Sequence, residues 1–248
     1  PEQNFTVAIF LQHFGGCHTY WKNPGLVGFA TSVKWNLPEG FKAGEIQWQV
    51  PERSKMLKYN CHAYKGDTYL LVDIQAPEVL PDKFRITAKV GGMSCSTKEC
   101  CKIGYIDVGV DLAKSPSTLY DSKAKSAIEN ARTNFPEVNK EFSFKAKRTG
   151  LSISLEVSGG DYTLDSGLYF YTDENIGDTE AEQVSKSVEG NLVMTFKLNK
   201  YASNEIKTLK GLLFSEKGWG KTGQKYLPVN CSLVPTEQRN YSLNPTLD

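Results

Sequence analysis

Two stretches of strict alternation bracket a cluster of cysteines, and no other feature of the chain restricts its fold as much. Phe84, Ile86, Ala88 and Val90 alternate with Lys83, Arg85, Thr87 and Lys89, and Ile106, Val108, Val110 and Leu112 alternate with Tyr105, Asp107, Gly109 and Asp111. A period of two puts each apolar set on one face of a strand, so the segment reads as a half-buried hairpin. Between the strands lie Cys95, Cys100 and Cys101, half of the chain's 6 cysteines. Facing residues at such a tip bring their Cβ atoms within disulfide reach, roughly 3.5–4.5 Å. Cys95 and Cys101 suit that geometry, and Cys100 competes for the same partner. Successive strand side chains point to opposite faces, so only one of the vicinal pair can share a face with Cys95.

The same period recurs along most of the chain. Phe5 to Leu11, Val33 to Leu37, Glu45 to Val50 and Tyr69 to Ile74 read as strands. In Cys17 to Trp21, alternation sets His18 and Tyr20 on one face and Cys17, Thr19 and Trp21 on the other. Residues 52–66 lose all periodicity while keeping Met56, Leu57, Tyr59 and Tyr64, which predicts a long aromatic loop that is functional or folded over something. Tyr120, Ala124, Ala127/Ile128, Ala131 and Phe135 recur at helical spacing, and strand patterns return from Phe142 to Leu233. The expectation is a mainly β chain of two β-sandwich domains, residues 1–114 and 138–248, joined by a linker helix within 115–137.

Charge and cysteine usage narrow the function. With 29 basic and 28 acidic residues the net charge is +1, which favours neither nucleic acid nor an anionic membrane surface. Six cysteines are many for a chain kept in a reducing cytosol without metal, so an oxidising compartment is expected. No apolar run reaches the roughly 18–20 residues of a membrane helix. No signal-peptide pattern precedes Pro1, so an exported protein would be present here in trimmed form. No Ser/His/Asp order and no glycine-rich phosphate loop supports a hydrolase or a nucleotide enzyme.

The first half resembles a known family. His18-Thr19-Tyr20-Trp21 with Asn23-Pro24-Gly25, Thr31-Ser32-Val33-Lys34-Trp35-Asn36-Leu37-Pro38-Glu39-Gly40, Gly44-Glu45-Ile46-Gln47-Trp48 and Pro51-Glu52-Arg53 resemble, in order and spacing, the N-terminal periplasmic region of the DsbD/ScsB thiol:disulfide interchange family. The resemblance implies an immunoglobulin-like sandwich. It also implies a redox pair spaced as Cys95 and Cys101, with Cys101 meeting the partner and no bound cofactor. A loop caps the pair in that family, here Arg53 to Gly66 with Tyr59 and Tyr64 as cover and His18 and Tyr20 as support. The implied partners are periplasmic thioredoxin-like or disulfide-isomerase-like proteins, together with the thioredoxin-like and membrane domains of a longer, membrane-tethered protein. Cys61-His62 and the extra Cys100 depart from the family pattern.

On pattern alone, Cys95 and Cys101 would be read as a structural staple; the family resemblance turns that into a redox reading. Cys17-His18 and Cys61-His62, with His13 nearby, invite a Cu(I) or Zn reading, and a non-enzymatic binding or copper-handling module is the alternative function. The preferred reading has no metal, with Cys17 and Cys61 either paired with each other or separate core residues, and Cys231 buried in a strand.

Overall fold

A computed structural model describes residues 4–96, 98–99, 103–114, 122–203 and 205–235. Nine strands come first: β1 (Phe5–Leu11), β2 (Thr19–Tyr20), β3 (Ser32–Asn36), β4 (Lys42–Ala43), β5 (Glu52–Met56), β6 (Tyr59–Tyr64), β7 (Thr68–Gln75), β8 (Lys83–Gly92) and β9 (Gly104–Ala113). The helix α1 (Ser122–Arg132) follows. Then come β10 (Ser143–Thr149), β11 (Ser152–Ser158), β12 (Tyr169–Thr172), β13 (Val184–Val188), β14 (Asn191–Lys197), β15 (Thr208–Trp219) and β16 (Gln224–Pro235).

In the first half the sheets β1-β7-β4 and β3-β8-β9 enclose one core. Val72, Ile74 and Ile86 are buried there with Phe41, and Phe5, Trp35, Phe84 and Leu112 pack against them. The β8/β9 hairpin forms in the expected register, with Val90 opposite Ile106 and Phe84 opposite Leu112, but only β8 is half-buried: β9 is exposed on both faces except at Leu112, which corrects the expectation for that strand. Each fully buried aliphatic or aromatic side chain contributes about 1.5–3 kcal/mol, which fixes which face turns inward. A third sheet, β2-β6-β5, carries the candidate site.

The second half is a seven-stranded sheet in the order β12-β15-β16-β10-β11-β14-β13, antiparallel except for β10 beside β16. Phe170 of β12 and Phe196 of β14 stand near opposite ends of that order, yet their ring centroids are 5.4 Å apart. The sheet therefore folds back on itself around a core that includes Ile153, Leu155, Met194, Leu213, Trp219 and Leu227.

Two further elements differ from the sequence expectation. Residues 52–66 are not an aperiodic loop: β5 and β6 form a hairpin, Met56 opposite Tyr59, turning at Leu57-Lys58. Glu45 to Val50 forms no strand, only a bridge between Gln47 and Leu71. α1 lies against the first half, where Gln49 Nε2 donates to the Ala131 carbonyl at 3.2 Å and Arg132 donates to Thr6 Oγ1 at 3.1 Å.

The halves share a buried seam in which Trp21, Tyr64 and Leu70 pack with Tyr169, Tyr171 and Leu212. Asn23 Nδ2 donates to the Thr172 carbonyl at 2.7 Å and the Glu174 carbonyl at 2.8 Å, and Lys22 pairs with Asp173 at 2.7 Å. The β5/β6 hairpin is held from the other half as well. Asn60 donates its backbone N–H to Glu180 at 2.7 Å and its amide to the Thr179 carbonyl at 3.0 Å, while Tyr226 donates to the Pro51 carbonyl at 2.6 Å.

Candidate functional site

The site is organised by the strand partners of Cys95. His18 and Cys95 form an antiparallel bridge, in which the His18 N–H donates to the Cys95 carbonyl at 2.7 Å and the Cys95 N–H donates back at 3.0 Å. Tyr20 stands opposite Ala63 on β6. Paired residues of antiparallel strands share a face, and alternate residues along each strand return to it. His18, Tyr20, Cys61, Ala63 and Cys95 are therefore on one side, while Trp21, His62 and Tyr64 are on the other.

Packing follows that division. Tyr20, Cys61, Ala63 and Cys95 form a buried cluster, flanked by Val27, Met56 and Met93. Cys95 is 1% exposed and its sulfur is disulfide-bonded. Just beyond it the Ser96 side chain accepts from the N–H groups of Lys98 and Glu99 at 3.1 and 3.0 Å, which turns the chain sharply. Cys100, Cys101 and Lys102 lie outside the described residues, and so does the expected pairing.

Tyr64 does not cover the cysteine. It falls on the opposite face of β6 from Cys61 and Ala63, and its hydroxyl donates to the Gln49 carbonyl at 2.7 Å within the seam. Tyr59 is 40% exposed, with the Lys58 ammonium 5.3 Å from its ring centre. The hairpin cover over Cys95 is made by Met56, Cys61 and Ala63 instead. Their signal was the alternation of Tyr59, Cys61 and Ala63 with Asn60, His62 and Tyr64, masked because both sets are buried from Cys61 onward.

Burial sets the electrostatics. It pushes the Cys61 thiol up to about 11, with Lys65 pulling it back and Glu180 reinforcing the rise, so Cys61 stays protonated at neutral pH. His18 is lowered by burial, then by Lys65 and His13, and its Nε2 stands 3.9 Å from the Cys61 sulfur. Burial also raises Tyr20 well above its ordinary value. Cys17 and Cys61 carry free thiols, which corrects the option that they bond to each other; Cys231 is also free and half-buried.

The Cys-His dipeptides bring His18 and Cys61 side by side, whereas His62 faces the aromatic seam. His62 uses Nδ1 on the Asn23 carbonyl at 2.9 Å and Nε2 on the Tyr169 hydroxyl at 3.0 Å, and His13 has both nitrogens engaged, on Gly66 and Thr19. Among the described residues no group of three His, Cys, Asp or Glu side chains is placed to hold an ion.

Residues 1–105, which contain Cys95, Cys101 and every residue of this cluster, match the family described as thiol:disulfide interchange protein DsbD, N-terminal. That stretch belongs to the DsbD N-terminal family. The layout of the DsbD-type region and of the half that follows it is similar to the N-terminal periplasmic domain of ScsB from Proteus mirabilis, with a TM-score of 0.66. The two are 14% identical, and the likeness covers 93% of this chain and 88% of that one, so it speaks for the fold. No curated protein matches the chain. The DsbD-type region places it among thiol:disulfide interchange modules. Among the described residues no helix is long and apolar enough to cross a membrane.

Proposed function

We propose that Cys95 and Cys101 cycle between disulfide and dithiol, and that the chain passes reducing equivalents through them to exported proteins. The observation that carries this reading is a disulfide-bonded Cys95 lying beneath a separate hairpin, away from the sandwich core. Cys101 is the favoured partner because its spacing agrees with the family's and because Cys17, Cys61 and Cys231 are free. In this reading Cys101 meets the partner, forms a mixed disulfide and is released by Cys95, with no organic cofactor or metal.

The setting that fits is the periplasm, with thioredoxin-like or disulfide-isomerase-like partners, and with thioredoxin-like and membrane domains of a longer protein as the source of electrons. Residues 1–114 form the redox domain, and the half from 138 onward supports its hairpin.

The reduction potential tests the reading. An exchange-competent pair lies above about −300 mV, whereas a lower value makes the bond structural. Peptide mapping of the oxidised protein under non-reducing conditions should return Cys95–Cys101, and a dominant Cys95–Cys100 bond moves the active pair. Cys100→Ser should leave exchange nearly intact, and Cys101→Ser should abolish it.

A further inference from the structure

Tyr20 carries a polar atom that the fold leaves unused. The residue is 0% exposed, and its hydroxyl has no hydrogen-bond partner among the described residues. A buried hydroxyl without a partner destabilises a fold, so its presence calls for a cause. The ring is also fixed in place. Gly28, at φ +93°, lies so close that a Cβ there would stand 2.3 Å from Tyr20 Cε1, and the His18 ring meets it edge-on at 5.2 Å. Cys61, Ala63 and Cys95 complete its surroundings.

We propose that the Tyr20 hydroxyl is a hydrogen-bond donor held for the Cys95 sulfur, idle against the disulfide and engaged when the S–S bond opens. The proposal rests on the exchange reading above. A reductant's thiolate attacks the outer sulfur of the disulfide; a new S–S bond forms there, the bond to Cys95 breaks, and its electron pair stays on Cys95 Sγ. A disulfide sulfur accepts hydrogen bonds poorly, whereas a thiolate accepts a charge-assisted one. The reductant's second thiolate then attacks its own mixed-disulfide sulfur and leaves as a disulfide. The outer cysteine is released, and two electrons and two protons have entered the pair.

The other groups in the cluster are poorer donors for a charge on Cys95: the protonated Cys61 thiol donates only weakly, Met56 and Met93 offer no donor, and the His18 Nε2 stands 3.9 Å from the Cys61 sulfur. Burial keeps the phenol protonated, so it remains a donor at neutral pH. A stabilised leaving thiolate departs faster, which makes Tyr20 a catalytic residue for the first exchange step.

Tyr20→Phe tests the assignment, because it keeps the ring and removes the oxygen. The oxidised variant should resist heat at least as well as wild type, since the orphan is gone. Its reduction by dithiothreitol should slow about tenfold, the order of one hydrogen bond to a charged group. In reduced protein the pH midpoint for iodoacetamide labelling of Cys95, followed by peptide mass, should rise by about one pH unit. Both effects should persist in a Cys61→Ala background.

An unchanged rate with an unchanged midpoint overturns the assignment. Faster reduction also overturns it, since that marks a loosened cover. Effects that vanish with Cys61→Ala give the hydroxyl to Cys61 instead. If the wild-type disulfide itself resists dithiothreitol, the exchange reading fails; labelling of protein reduced in denaturant and refolded still decides Tyr20.

Discussion

His62 ties the stability of the fold to pH. The Asn23 carbonyl can only accept, so Nδ1 carries the ring proton and Nε2 accepts from the Tyr169 hydroxyl. Both contacts suit the neutral ring. Burial and, after it, Arg53 press its pKa from 6.5 down to about 4 against the opposing pull of the Asn23 carbonyl. Between those values the unfolded chain binds a proton that the native one refuses, so stability is complete above about pH 6.5 and declines as the pH falls toward 4. The shift amounts to about 3 kcal/mol in all, of which about 2 kcal/mol is lost between pH 7 and pH 5. Urea unfolding at those two pH values should show that loss in wild type and much less of it in His62→Gln. Equal losses in both proteins would remove His62 as the cause.

At the scale of elements, the β8/β9 hairpin was legible because each strand alternates apolar and polar residues; β8 buries its apolar set as expected, whereas β9 leaves Ile106, Val108 and Val110 exposed. The β5/β6 hairpin was not legible, for three physical reasons. β5 is a polar edge strand, β6 is buried on both faces, and its turn lacks the glycine or asparagine that usually marks one: Leu57 takes φ +53° itself. The resemblance assigned the cover to residues 53–66 and to the tyrosines there, whereas strand alternation sends Tyr64 to the seam. What holds the hairpin down is Asn60, through Glu180 and Thr179. Asn60→Ala removes the amide bonds and should raise the rate at which a small thiol reduces the Cys95 disulfide several-fold. Tyr59→Ala, at an exposed position, should leave that rate unchanged; a larger effect there than at Asn60 would return the cover to the tyrosine.

On the scale of the whole molecule, the second half sits where the cover needs support. The cysteines announced themselves in the sequence, but the seam could not, because Asn23 and Thr172 or Asn60 and Glu180 meet only after more than a hundred intervening residues have folded. Asn23 is the polar keystone of that seam. It is 2% exposed, its amide reaches Thr172 and Glu174, and its Oδ1 accepts from the Gly25 N–H at 3.0 Å. The turn it fixes also accepts from the hairpin, the His62 N–H donating to the Pro24 carbonyl at 3.0 Å. Because Trp21 and Tyr64 pack directly on Tyr169 and Tyr171, neither half can open without exposing the other's aromatic surface. Calorimetry should therefore show one cooperative transition for the oxidised chain, and two well-separated transitions would refute the coupling. Asn23→Ala removes the buried donor to the Thr172 and Glu174 carbonyls, the second of which keeps the Ile176 N–H, and should cost about 1–3 kcal/mol. The same change should quicken disulfide reduction, since a loosened turn frees β6 above Cys95, and a loss of stability with no change in that rate would separate the seam from the redox site.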